Sequence, residues 1–463
     1  MGKPEYWWYS VDRIVVCHRH YLCEIGDWTR DYGEGKGDDL VIYTTKGIRM
    51  NNNSKMDLIY QIANACNLMH SVQIFTTNKD KLKGYKFIFA SKKGSQPGHA
   101  VSFNFKNGSA IRGLFKTKNV YLLDEKTIEE MYSNECKFPI DYSISLDTQA
   151  LSYLQPYIER KNSRLPKDFK EIFTFIARDN VNIDPLPYEF ENHSNLESSS
   201  DKIFEKLKAY QLLRTIDSEL LLKHDLIEST LSHEELIKVT QEHLSRLFYN
   251  SSNLELLDDF LYDIQYIHLL KMIIIQFEHT SLPSFKKTIK HLNFCHYELA
   301  NIGIKEILLS RKYFEEGQNF LFFSKIQKNK KDKSKFFRDI KGMAWDLYHI
   351  RQMERLITIT PDSRARYFFP ALLTCDKRLK DILDLFSLKC IAFNNLTNDI
   401  IPFYELDIFS QLSSKPSEKH LIKNYFLEDK KKDRSERLQK STNNLSILIE
   451  NLENELFTLA FDN

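Results

Sequence analysis

The sequence predicts an α/β domain, a parallel sheet with flanking helices, that is split by a large helical insertion and preceded by a β-rich α+β region. Three observations carry that expectation. Two short apolar runs, beginning at Tyr142 and Phe369, each end in an aspartate followed at once by a helical pattern, as strands of an open α/β sheet do. Residues 200–317 read as almost continuous amphipathic helix with long Leu/Ile spacing. The first 140 residues or so hold short runs of β-branched and aromatic residues instead. The expected organisation is a β-rich region over 1–138, an α/β domain built from 139–200 and 318–400, a helical insertion over 201–317 and a helical extension over 401–463.

Taken in order, Arg13 to Cys23, Asp39 to Thr45, Val72 to Thr76 and Tyr85 to Ala90 are expected strands. Lys55 to Met69 interrupts them as a helix, because Met56, Ile59, Ile62, Ala63 and Cys66 recur at helical spacing. Asn107-Gly108, between two strand-like flanks, predicts a type I′ hairpin. Within the insertion, Asn250-Ser251-Ser252-Asn253 and Ser281-Leu282-Pro283-Ser284 are expected breaks. The run from Phe369 is mostly apolar, as in a strand buried on both faces; a helix follows, then a further strand from Lys389, completing a β–α–β unit. A last helical stretch covers roughly 433–460.

Composition sets the limits. A chain of 463 residues allows two or three domains at roughly 150 residues each. With 65 basic and 63 acidic residues, wholesale histone-like binding to nucleic acid is excluded, so a basic surface must be local. Only 14 Gly and 12 Pro exclude collagenous and linker-dominated architectures, and 32 Phe with 23 Tyr argue against wholesale disorder. The densest apolar run, Leu269 to Phe277, contains Lys271 and Gln276 and reads as a core helix, not a membrane span. The N-terminus lacks the apolar segment of a secretory signal, and seven scattered cysteines lack a disulfide framework. Reduced thiols in a cytoplasm, with no membrane partner, are expected.

Three aspartates stand out by context. Asp147 ends the strand from Tyr142, and Asp376 ends the one from Phe369. Functional side chains gather at such carboxyl ends, although each aspartate would equally serve as a helix cap. Asp346 shares one helical face with Ile350, Met353 and Ile357. A carboxylate on an apolar stripe is costly unless paired or bound to metal, and Arg351 and Arg355 are candidate partners.

The order strand–Asp147–Thr148–helix, Trp345–Asp346–Leu347, then Leu373–Thr374–Cys375–Asp376–Lys377–Arg378 resembles the PIN-like nuclease domain over about 110 residues, in segments near 140–200 and 343–395. The resemblance implies Asp147, Asp346 and Asp376 as ligands of Mg²⁺ or Mn²⁺, and hydrolysis of RNA in preference to DNA. It also implies a Glu some forty residues after the first Asp. Glu191 is favoured as ligand or water-orienting base, with Glu189 and Glu298 as competitors. Hard divalent cations prefer carboxylate oxygens, and the bound metal activates water, so no nucleophilic side chain is needed.

Arg351, Arg364, Arg366, Lys377 and Arg378 are the candidate substrate contacts. The lysine-rich run from Lys325 to Arg338 either meets phosphates or forms a solvated loop. His349, three residues from Asp346, faces the site or the surface. Cys17, His18, His20 and Cys23 invite a zinc reading completed by Cys66 and His70, but ligands alternating along one strand cannot converge. Gly33-Glu34-Gly35-Lys36-Gly37 lacks the ending of a phosphate loop and reads as a turn. The expected function is a metal-dependent nuclease, in the architecture of a bacterial stress or phage-defence effector. A homo-oligomer or a regulatory protein partner is compatible with it. The alternative is a non-catalytic PIN-like scaffold.

Overall fold

Chain order and sheet order diverge sharply in the computed structural model, which describes residues 55–461 apart from 95–96, 98–101, 134–139, 360–364, 398, 406–407 and 442–444. The first half runs α1 (Lys55–Ala63), α2 (Leu68–Thr77), β1 (Tyr85–Ser91), β2 (Ser102–Asn104), β3 (Ala110–Gly113), β4 (Asn119–Leu123), α3 (Glu125–Ser133), β5 (Ile140–Leu146), α4 (Thr148–Ile158), α5 (Phe169–Ile176), β6 (Ile183–Asp184) and α6 (Leu186–Asn192). Helices α7 (Ser200–Arg214), α8 (Ser218–His224), α9 (His233–Glu278), α10 (Ser284–Tyr297), α11 (Ile304–Glu316) and α12 (Lys333–Leu356) follow. The chain then returns to sheet through β7 (Tyr367–Thr374), α13 (Lys377–Leu385), β8 (Leu388–Asn394) and β9 (Asp399–Tyr404). It closes with α14 (Ile408–Leu412), α15 (Pro416–Lys423), α16 (Glu428–Ser441) and α17 (Leu445–Phe461).

The architecture is mixed α/β with two sheets. One has the order β2-β3-β7-β5-β6 and the other β4-β1-β8-β9. In the first, β5 runs parallel to both β6 and β7, while β3 pairs antiparallel with β7 and β2 with β3. Strand β7 is buried along its whole length, as the apolar run from Phe369 anticipates. The carboxyl ends of β5 and β7 lie side by side: Leu146 pairs with Leu373, and the Asp147 amide donates to the Leu373 carbonyl at 3.1 Å.

The expected boundary at 138 is corrected for the described residues. Both sheets draw strands from either side of it, through β3 on β7 and β1 on β8. The hydrophobic contacts that complete these strands come from the far end of the chain, so short β runs near the N-terminus do not close a domain of their own. Val72 to Thr76 is helical, within α2, where Ser71, Val72 and Phe75 bury one face. The hairpin turns through three residues: Phe105 donates to Ser109, and Gly108 has φ +107° while Asn107 stays out of the left-handed region. Type I′ would need positive φ at both. The positive φ is what calls for glycine at 108; a Cβ there would meet only the movable end of the Lys377 side chain. Helix α9 runs unbroken through the expected break at 250–253, because packing against neighbouring helices outweighs weak local propensity. The break at Pro283 is real and starts α10. Arg13 to Cys23, Asp39 to Thr45, the Cys17–Cys23 cluster, Gly33–Gly37 and Arg364 lie outside the described residues.

Candidate active site

Two sheet ends and two helices bring the acids together. Asp147 follows β5, where its carboxylate caps α4 through the Ala150 amide. Asp376 follows β7 and caps α13, accepting from the Arg378 amide at 2.8 Å. Capping is thus part of what both residues do. It engages Oδ1 in each and leaves Oδ2 of Asp147 for other contacts. Asp346 projects from α12, whose Ile350, Met353 and Ile357 are buried as their spacing predicts. Glu191 comes from α6, the short helix entered through Pro185 and Pro187.

The electrostatics tie these four residues into one group. Burial pushes the Asp147 carboxyl up to about 6, opposed by hydrogen bonds from Thr374 and Ala150 and reinforced by the charges of Glu191 and Asp376. Burial also raises Asp346 well above the ordinary carboxylate range, with repulsion from Asp376, Glu191 and Asp147 behind it. For Asp376, burial would raise the carboxyl too, but hydrogen bonding and charge from Arg378, with Lys325 beyond, hold it below the usual range. Two parts of the arrangement are fixed by donors. Arg378 Nε donates to both Asp376 oxygens, at 2.9 and 3.1 Å. His349 lies 2.9 Å from Glu191 through Nε2, is buried, and stacks on Trp345 at 5.8 Å. His349 therefore faces the site.

Oxygen is the donor that hard divalent cations prefer, and all four side chains offer it. Burial is the first cause of the raised carboxyls of Asp147 and Asp346, while both oxygens of Asp376 are already engaged by Arg378. The oxygens of the four are not drawn tightly together. Among the described residues, the group of three or more His, Cys, Asp or Glu donors lying within 4.8 Å of one another is a different one, His268, His291 and Cys295.

Of the candidate basic residues, Arg378 is in the site and Lys325 is near it, its charge acting on Asp376. Lys377 is exposed and passes over the Gly108 turn. Two assignments are corrected. Arg351 turns away from the acids: Nη2 donates to both Glu306 oxygens, at 2.9 and 2.6 Å, and Nη1 reaches Glu354 at 3.4 Å. Arg366 donates to Glu130 at 2.9 Å through both terminal nitrogens and approaches Asp124 at 3.4 Å. Each long side chain meets a buried or half-buried acid on a neighbouring element, a tertiary pairing that strand and helix phase do not reveal. The lysine run likewise folds back on itself, with Lys335 on Asp339 at 3.1 Å and Lys330 on the same carboxylate at 2.5 Å.

The competitors for Glu191 stand elsewhere. Glu189 is buried against His243, 2.7 Å from its Nε2, and Glu298 is exposed at the end of α10. Sequence reading missed Asp184, which ends β6 and accepts from Ser143 and Ser145; burial pushes it up to about 6. The alternation of Ser143 and Ser145 on one face of β5 was the available signal. Cys66 and His70 do meet, at 3.5 Å on the exposed side of α2. No helix among the described residues is long and apolar enough to cross a membrane. No protein-family model, curated protein or solved structure matches this chain.

Proposed function

We propose that the protein is a metal-dependent nuclease that hydrolyses phosphodiester bonds, with RNA the favoured substrate. The observation that carries this is that Asp147 and Asp376 follow the adjacent ends of parallel strands β5 and β7, with the charges of Glu191 and Asp376 acting on Asp147, and those of Asp376, Glu191 and Asp147 on Asp346. Asp147, Asp346 and Asp376 would hold Mg²⁺ or Mn²⁺. Such an ion supplies charge to the scissile phosphate and lowers the pKa of bound water. Glu191, held by His349, would orient the attacking water and accept its proton. Lys325, whose charge reaches Asp376, would offer positive charge to the substrate backbone, while Arg378 is held by Asp376. A cytoplasmic stress or defence effector, acting alone or under a protein partner, is the biological setting we propose for this activity.

The direct test is cleavage of labelled single-stranded RNA and DNA with Mn²⁺ and with EDTA. RNA is expected to be cut, DNA more slowly, and chelation to stop both. Cleavage that survives both Asp147→Asn and Asp376→Asn would sink the reading. Failure to cut either polymer would favour the scaffold.

Stability should report the metal independently of any substrate. A carboxyl whose folded pKa is raised destabilises the fold once it ionises: the contribution is favourable below the unfolded pKa and is lost as pH rises through the folded value. For Asp147 that window runs from about 4 to about 6. Mn²⁺ is therefore expected to raise the melting temperature at pH 8, where the acids are charged, and to have little effect at pH 4.5. Differential scanning fluorimetry checks this; equal shifts at both pH values would count against these acids as ligands.

A further inference from the structure

A second cluster of donors lies far inside the helical part of the fold. His268 comes from the middle of α9, and His291 and Cys295 are one turn apart on α10. All three are fully buried. His268 Nδ1 stands 3.2 Å from His291 Nε2 and 3.7 Å from Cys295 Sγ, and the three donor atoms lie within 4.8 Å of one another. A tetrahedral ion with bonds of about 2.0 Å to nitrogen and 2.3 Å to sulfur has N–N and N–S edges of roughly 3.3 and 3.5 Å. The observed separations are those of two edges of such a site.

Hydrogen bonding does not account for the group. The outer nitrogens, His268 Nε2 and His291 Nδ1, are buried without a hydrogen-bond partner. The two rings can share a single proton between them, so every tautomer leaves polar atoms unserved, at a cost of about 1–3 kcal/mol each. Nor is charge pairing within the trio an explanation. All three side chains are wholly buried, which disfavours a charge on any of them alone. Neutral imidazoles are the metal-binding form. The Glu306 carboxylate acts on all three side chains, opposed by Arg351 at His268, by Lys271 at His291 and by Arg434 at Cys295, so charges of both signs surround the pocket.

We infer that His268, His291 and Cys295 form a structural site for a thiophilic d¹⁰ cation, Zn²⁺ or Cu⁺, clamping α9 to α10. The Cys295 proton leaves to solvent as the sulfur–metal bond forms, and no electron is transferred. With Cu⁺ the thiolate gives a neutral centre on soft donors; Zn²⁺ keeps one positive charge and would take a fourth ligand beside these three. Because no ligand is exposed, the ion would be taken up as the chain folds and held against mild chelation. This site is separate from the acidic one and does not depend on its activity.

The test is metal content by mass spectrometry on the full chain, purified without chelator from zinc-supplemented and from copper-supplemented cultures. About one ion per chain is expected, the richer culture showing which metal is preferred. X-ray absorption should find one sulfur at about 2.3 Å with nitrogens near 2.0 Å. Cys295→Ala should cut the metal at least tenfold, whereas Cys66→Ala and Cys17→Ala should leave it unchanged. Absence of stoichiometric metal from both preparations would overturn the inference, as would a sulfur-free shell. So would metal lost from the Cys66 or Cys17 variant and kept in Cys295→Ala. Should Cys295→Ala fail to fold, the chain in which Cys17, Cys23, Cys66, Cys136, Cys375 and Cys390 are each replaced by alanine, leaving Cys295 alone, decides after chelator-assisted unfolding and refolding with Co²⁺. A near-ultraviolet thiolate–Co²⁺ band supports the site and its absence refutes it.

Discussion

Asp346→Asn is expected to abolish Mn²⁺-dependent cleavage while raising the stability of the metal-free chain. The two effects share one cause. Burial and the charges of Asp376, Glu191 and Asp147 hold the Asp346 carboxyl well above its ordinary range, so its ionised form weakens the fold at neutral pH. Asparagine removes that penalty and, with it, the anionic ligand. Asp147→Asn should behave in the same way, since asparagine still caps α4. Its shift from 3.8 to about 6 corresponds to on the order of 3 kcal/mol at neutral pH. The expected loss of turnover is about 10²–10⁴-fold, the range for removal of a group that acts on the reacting atoms. A residue that is only structural would lose stability and activity together. Single-turnover cleavage and urea denaturation on the same preparations separate the cases, and a variant that is both less stable and still active would refute the assignment.

Arg351→Ala is expected to unfold the protein more readily without touching a substrate contact. Burial would raise the Glu306 carboxyl, but the Arg351 guanidinium outweighs it and holds the group at about 2. Beside this pair, Lys305 Nζ lies 2.7 Å from Glu354 Oε1, also buried. Removing one partner of a buried pair costs about 3–5 kcal/mol, because the other charge is left stranded. The pH dependence has a definite sign. A depressed carboxyl contributes stability that is complete above its unfolded pKa, near 4.5, and is lost as pH falls through the folded value of about 2. The deficit of Arg351→Ala should therefore be full at pH 7 and shrink below pH 4.5. Replacing both partners, as Arg351→Met with Glu306→Met, should recover much of the loss. A change in the Michaelis constant with an unaltered urea midpoint would instead return Arg351 to the substrate.

What was legible in the sequence follows from how local each signal is. Asp147 and Asp376 stand at strand-to-helix junctions, where a few consecutive residues define both the strand end and the cap. Asp346 was legible because its helix carries a clear apolar stripe. The fate of Arg351 and Arg366 depended instead on acids supplied by other elements, Glu306 and Glu130. The extended helix α9 shows the same limit, since Asn250 to Asn253 read as a break and the helix runs through them. His291 and Cys295 sit four apart on one helix and form a local pattern, yet their third partner is on another helix and nothing local points to it.

The interleaving of the sheets also governs when the protein can become itself during synthesis. Ala110 waits for Thr374, and Phe87 waits for Ala392. Neither sheet can close until most of the chain has left the ribosome, and such distant pairings fold slowly. The nascent N-terminal strands meanwhile present open edges, which favours engagement by chaperones. Asp376 arrives late as well, so the four acids cannot meet on a half-made chain. The order of translation thus delays assembly of the acidic group until β7 and the turn after it have been made.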